Sequence, residues 1–276
     1  MPLRRVHAGD VDLAVSEVGE GGRPLLLVHG FTGAKEDFEP LLEPMAERGW
    51  HAAAPDLRGH GSSGHPEGTS AYGVDAFVSD ALATADDLGW DSFVLVGHSM
   101  GGAVAQRIPV DHPGRVRGLV LMSTFHGPLD IDENLLNLGL AIVRNAGMEG
   151  LAAALAARRA QDPAAMAARE RMEESRPGQG KRSDRKLLSC SADMWTAMAP
   201  RFAAWPDTLD EVAGLDIPTL VLVGAEDETM RPQCERLAEV IPGARLEVVA
   251  GTRHSPQLED PERCWAALSR FLDDLA

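Results

Sequence analysis

Five short runs rich in Val and Leu recur along the chain, at Leu25–Val28, Phe93–Val96, Leu119–Met122, Thr219–Val223 and Leu246–Val249. An unbroken apolar run of this length suits a strand covered on both faces. Helix-length patterns fill the intervals, over Lys35–Arg48, Val74–Leu88, Gly101–Asp111, Pro232–Ile241 and Glu262–Leu275. A β–α–β rhythm of this kind leaves one economical arrangement, an α/β fold built on a mostly parallel, doubly wound sheet. Arg4–His7 and Val11–Val18 add an antiparallel hairpin at the start. With 276 residues, 44% hydrophobic and 25% charged, the chain has the make-up of one large globular domain carrying an insertion.

The rhythm stops after Thr124 and resumes at Ile217. Residues 125–206 are rich in Ala, Met, Leu and Arg without a convincing strand, so they read as a helical cap, with 1–124 and 207–276 forming the core. Within it, Ile142–Lys186 holds ten Arg and Lys against six Asp and Glu, while the whole chain has 26 against 42 and a net charge of −16. A positive cap sits on an acidic body. An Ala-rich helix is expected near Leu151–Ala168. Arg176–Arg185, with Pro, two Gly and dense charge, reads as an exposed, mobile connection.

The acidic balance would repel phosphate backbones and anionic membrane surfaces, which argues against nucleic-acid or membrane partners. Three cysteines, Cys190, Cys234 and Cys264, are widely spaced and form no CxxC, so neither a disulfide framework nor a zinc cluster is indicated. The first residues lack the apolar stretch of a signal peptide, and no later run approaches the ~18 apolar residues of a membrane span. The expectation is a cytoplasmic protein with reduced thiols.

The chemistry gathers at strand ends. After the Phe93–Val96 run comes Gly97-His98-Ser99-Met100-Gly101-Gly102, followed at once by a helical pattern. G-x-S-x-G between a strand and a helix is a sharp turn that lifts a serine hydroxyl to a helix N-terminus, where the Met100 N–H and the helix dipole can stabilise an oxyanion. A lone G-x-S-x-G is as often an ordinary glycine-rich turn with a capping serine, and the strand–turn–helix context separates the two. The first long run ends in Val28-His29-Gly30-Phe31-Thr32-Gly33, which can aim the Phe31 N–H at the same point.

A serine needs a base, and the base needs a carboxylate to orient it. Of nine histidines, His254 follows the Leu246–Val249 run in a loop. His7, His51, His60, His65, His112 and His126 fall where packing or solvation explains them, and His29 and His98 flank the site as supports. Asp227 follows the Thr219–Val223 run, with Glu226 and Glu228 as competitors. Ser99, Asp227, His254 and the Phe31 turn all lie at carboxyl ends of predicted parallel strands, the edge at which open α/β sheets bind ligands.

On His29-Gly30-Phe31, Asp56–Ser62, Gly97–Gly101, Gly224–Asp227 and Gly251–His254, the chain resembles the α/β-hydrolase superfamily over nearly its full length. The resemblance implies a Ser99, Asp227, His254 triad, an oxyanion hole at Phe31 and Met100, and a lid spanning the insertion. It also makes Asp56–Ser62 the loop after the fourth strand, a structural element. Haloalkane dehalogenases and many epoxide hydrolases of the superfamily carry an aspartate where this chain has Ser99, which disfavours those activities. Carbon–carbon bond hydrolases share Ser-Met-Gly-Gly but typically have Asn where this chain has His98. Perhydrolases and enol-lactone hydrolases use the same triad.

Trp195, Met194, Met198 and Phe125 are the candidate substrate-binding residues, because Met and Trp suit an apolar acyl or ring group, although burying the cap on the body would use the same residues. The reading is a serine esterase or lactonase acting on a small to medium apolar substrate. It requires no metal or organic cofactor. A ligand-binding protein on the same fold would have no need of nucleophile, base, acid and both oxyanion donors together.

Overall fold

The computed structural model describes residues 3–275, apart from the side chains at 164, 165, 168, 171 and 175. The strands are β1 Leu3–Ala8, β2 Val11–Val18, β3 Arg23–Val28, β4 Trp50–Pro55, β5 Phe93–His98, β6 Val116–Met122, β7 Thr219–Gly224 and β8 Arg245–Val249. The helices are α1 Glu39–Glu47, α2 Val74–Asp87, α3 Met100–Asp111, α4 Glu133–Arg159, α5 Pro163–Ser175, α6 Gln179–Leu188, α7 Ala192–Met198, α8 Leu209–Val212, α9 Met230–Val240, α10 Pro256–Glu259 and α11 Pro261–Asp274. One eight-stranded sheet runs β1-β2-β4-β3-β5-β6-β7-β8. β1 pairs antiparallel with β2, β2 antiparallel with β4, and every later pairing is parallel.

Alternation along the strands divides the core in two. Leu26, Val28, Leu95, Leu121 and Val221 face one side, packed with Phe77 of α2, Val104 and Ile108 of α3, and Leu237 of α9. Their neighbours Leu25, Leu27, Val94, Val96, Val120 and Leu220 face the other, against Leu41 and Met45 of α1 and Leu268 and Phe271 of α11. A run that is apolar at every position is what a strand sandwiched between two helix layers requires.

β4 was not among the apolar runs. Its Ala52-Ala53-Ala54 carries no β-branched side chain to distinguish it from a helix, yet all six residues of the strand are buried between β2 and β3. Asp56 just beyond it is wholly buried and accepts hydrogen bonds from Lys35 N, Lys35 Nζ and Ser62 N, each at 2.8 Å. That ties the following loop to the turn before α1, a structural role as expected.

The insertion is helical, α4 to α7, and lies over the carboxyl edge of the sheet. The Ala-rich stretch is two helices, α4 and α5, separated at 160–162. Among the described residues α4 is long and apolar enough to cross a membrane by length and composition, against the sequence reading. It is broken at Gly147 (φ +62°), and its second half lies over the sheet edge instead. Arg176–Arg185 also departs from expectation: its greater part is helix α6, with Gln179 and Gly180 buried. The Glu173 carboxylate accepts from Gly178 N at 2.6 Å and Gly180 N at 3.0 Å, and Asp184 pairs with Arg169 at 2.7 Å. Local composition signals a loop, but bonds reaching back to α5 fix the segment.

The three cysteines are free and buried, and burial pushes each thiol up to about 12, so they act as small apolar packing groups.

Candidate active site

Four strand ends converge on one point. β5 delivers Ser99 at the start of α3, with φ +53° and ψ −120°, a conformation that costs a non-glycine residue about 1–3 kcal/mol. The surroundings over-determine it. Ser99 N donates to Met122 O at 2.9 Å, and Ser99 O accepts from Gly102 N at 2.9 Å and from Thr124 Oγ1 at 2.7 Å. A Cβ at Gly97 would enter the Gly101 carbonyl, and one at Gly101 would enter those of Val28 and His29. Glycine at these two positions is therefore a condition of the turn.

β7 delivers Asp227 and the segment after β8 delivers His254. His254 Nδ1–H donates to Asp227 Oδ2 at 2.9 Å, and His254 Nε2 accepts from the Ser99 hydroxyl at 3.0 Å. Asp227 is 6% exposed, whereas Glu226 and Glu228 point into solvent, so burial decides between three adjacent acids. Its other oxygen accepts from Met230 N in the first turn of α9 at 3.3 Å. The imidazole is thereby held in the tautomer that leaves Nε2 free to take a proton.

The two flanking histidines bond to the segments that carry the site. His29 is fully buried, with Nδ1–H donating to Gly30 O at 2.8 Å and Nε2 accepting from Leu57 N at 3.0 Å, which fixes the turn that carries Phe31. Burial lowers its pKa, so it is neutral. His98 Nε2–H donates to the main-chain oxygen of His254 at 2.7 Å. Burial, and then the neighbouring His254, lower the His98 pKa to about 4.

Above Ser99 lies a cavity of about 610 Å³, within the range of small-molecule sites. Ala152, Leu155 and Ala156 of α4, Leu187 of α6, Trp195 of α7 and Phe31 form its apolar wall. Its polar side carries two ion pairs, Lys186 with Asp37 and Arg159 with Asp184 at 3.4 Å. Asp184 also pairs with Arg169 at 2.7 Å, so this one carboxylate at the rim is shared by two arginines. Of the four sequence candidates for substrate contact, Trp195 lines the cavity. Met194, Met198 and Phe125 do not; they are 0%, 0% and 1% exposed and pack the cap onto the body, Phe125 edge-on to Phe202 and Trp205. Leu155 and Leu187 were missed, because nothing local marks which residues of a cap helix will face the sheet edge.

The family with the alpha/beta hydrolase fold matches residues 23–261. The chain belongs to the α/β-hydrolase family. It is an enzyme of the hydrolase fold, and its similarities spread over several activities within that family. It is 28% identical to a non-heme haloperoxidase of Rhodococcus erythropolis over 91% of this chain and 93% of that one. It is 36% identical to epoxide hydrolase A of Mycobacterium tuberculosis, over 44% of this chain and 38% of that enzyme. A thermophilic esterase from Thermogutta terrifontis superposes with a TM-score of 0.79 at 26% identity, covering 100% of this chain and 99% of the other.

Proposed function

We propose that this α/β-hydrolase is a serine esterase or lactonase that cleaves a small to medium apolar substrate through an acyl-enzyme. The observation that carries the reading is the unbroken hydrogen-bond line from Ser99 Oγ through His254 to the buried Asp227, beneath a largely apolar cavity. His254 takes the Ser99 proton as the hydroxyl attacks the carbonyl carbon. The amides of Phe31 and Met100, on the two segments flanking Ser99, hold the oxyanion. His254 then gives the proton to the leaving alcohol, and water activated by the same imidazole releases the acid. Ser99, where an epoxide hydrolase would present a carboxylate, favours acyl transfer over epoxide opening.

The test is hydrolysis of a chain-length series of chromogenic esters by wild type and Ser99→Ala. Turnover lost by several orders of magnitude with the fold retained supports the reading. Undiminished turnover by the variant overturns it. The likeness to a haloperoxidase over most of both chains supports a second reading, in which hydrogen peroxide replaces water in the second half-reaction. That reading predicts Ser99-dependent peracid from a carboxylic acid and peroxide.

A further inference from the structure

The segment bearing His254 is gripped at every residue from 252 to 255. Glu226 N donates to Thr252 O at 2.9 Å, and the Glu259 carboxylate accepts Arg253 N on one oxygen at 2.7 Å and Ser255 N on the other at 2.8 Å. Between those two amides, the carbonyl of His254 itself accepts from His98 Nε2 at 2.7 Å. We infer that His98 and Glu259 are positioning residues of the reaction, a two-sided clamp that sets where the His254 imidazole stands relative to Ser99. The inference rests on the reading of Ser99 and His254 given above.

The imidazole is poorly placed to hold itself. Its side chain is 43% exposed, on a segment outside any helix or strand, and of its two ring bonds only the one to Asp227 persists as the proton moves between Ser99 and Nε2. One hydrogen bond leaves the ring free to pivot, so the remaining restraint comes from the main chain. Glu259, at the end of α10, bridges amides two residues apart and so fixes the curve of the backbone across His254. His98 is the covalent neighbour of Ser99 at the end of β5. The bond from His98 therefore ties the carbonyl of the base to the residue next to the nucleophile, and a drift of one past the other must stretch it.

The cost at His98 points the same way. The ring is 5% exposed, and Nδ1 has no hydrogen-bond partner. A buried acceptor left unmet costs on the order of 1–3 kcal/mol, which an apolar ring of similar size would avoid. Packing alone therefore does not account for a histidine here, whereas the donor on Nε2 does.

The experiment compares His98→Phe, which keeps a ring and removes the donor, with His98→Gln, which restores a donor without the ring, alongside Glu259→Ala and Glu259→Gln. Each is assayed for kcat and KM on the best chromogenic ester, in the wild-type and the His254→Ala backgrounds. Misplacement of a reacting group by about 1 Å costs on the order of 10²-fold, so His98→Phe and Glu259→Ala are expected to lower kcat about 10- to 100-fold with KM within about twofold. His98→Gln should recover most of the loss, and Glu259→Gln, which keeps one acceptor, should fall between wild type and alanine. In the His254→Ala background the same changes should cost nothing further.

An unchanged kcat in folded His98→Phe and Glu259→Ala overturns the clamp. So does an equal fractional loss in the His254→Ala background, which marks a structural effect. If Glu259→Ala fails to fold, Glu259→Gln carries that arm, and wild-type kcat there overturns the role of Glu259. Wild-type turnover by His254→Ala alone overturns the parent reading instead.

Discussion

Asp227 and His254 stand 27 residues apart and meet through a 2.9 Å hydrogen bond from His254 Nδ1 to a carboxylate that is almost wholly buried. The charge of that carboxylate stabilises an imidazolium and its position fixes the tautomer. Asp227→Asn should therefore lower kcat on the order of 10³- to 10⁴-fold with little loss of stability. Glu226→Gln and Glu228→Gln, which alter exposed neighbours, should leave kcat within about twofold. Steady-state kinetics and thermal melts of the three variants check this.

Trp195 is the largest side chain on the cavity wall, and its ring lies 6.3 Å from that of Phe31, centroid to centroid. Removing it enlarges the cavity toward α4, where a Gly139 Cβ would approach the indole to 2.8 Å. In a chain-length series, Trp195→Ala should raise KM for the preferred ester by about tenfold, from about 1–2 kcal/mol of lost apolar contact, and move the optimum to longer chains. An unchanged optimum would remove Trp195 from the substrate wall.

Stability should fall as pH drops from about 6.5 toward 4. His29, His60 and His98 are buried with pKa values lowered by burial, His98 to about 4, while the unfolded chain takes up protons near 6.5. Within that window the unfolded state binds more protons than the folded one, so stability rises with pH and is fully present above about 6.5. Urea midpoints measured between pH 4.5 and 7 should show the slope, and His60→Gln should make it shallower. Identical slopes for the variant and wild type would rule out proton uptake at His60.

Gly101→Ala sets two effects against each other. Alanine in a helix gains about 1 kcal/mol over glycine, but here its Cβ would strike the carbonyl oxygens of Val28 and His29, backbone that cannot rotate away. The collision costs about 3 kcal/mol or more and wins, for a net loss near 2 kcal/mol and a fall in Tm of about 4–8 °C. Differential scanning calorimetry checks it. The strained Ser99 backbone should shift with it, so activity should fall further than stability alone predicts.

The sheet and its helices were legible because strands covered on both faces must be apolar at every residue, as Leu25–Val28 and Leu220–Val223 are. β4 was not, since an Ala run says nothing of its layer. Ser99, His254 and Asp227 could be picked out because G-x-S-x-G, a strand-end histidine and a strand-end acid each mark a local backbone geometry. Asp227 was named ahead of Glu226 and Glu228, and the fold buries that carboxylate while exposing the other two.

The sequence by itself determined the elements, their order and the edge at which the reactive side chains stand, because those follow from hydrophobic period and turn chemistry over a few residues. The tertiary structure alone decided the rest. Which cap residues face Ser99, the burial of Asp227 beside two exposed acids, and the bonds by which His98 and Glu259 hold the loop of His254 all depend on contacts between residues far apart in the chain. Such contacts leave no periodic or local trace, since they exist only once the sheet has brought β3, β5, β7 and β8 to one edge.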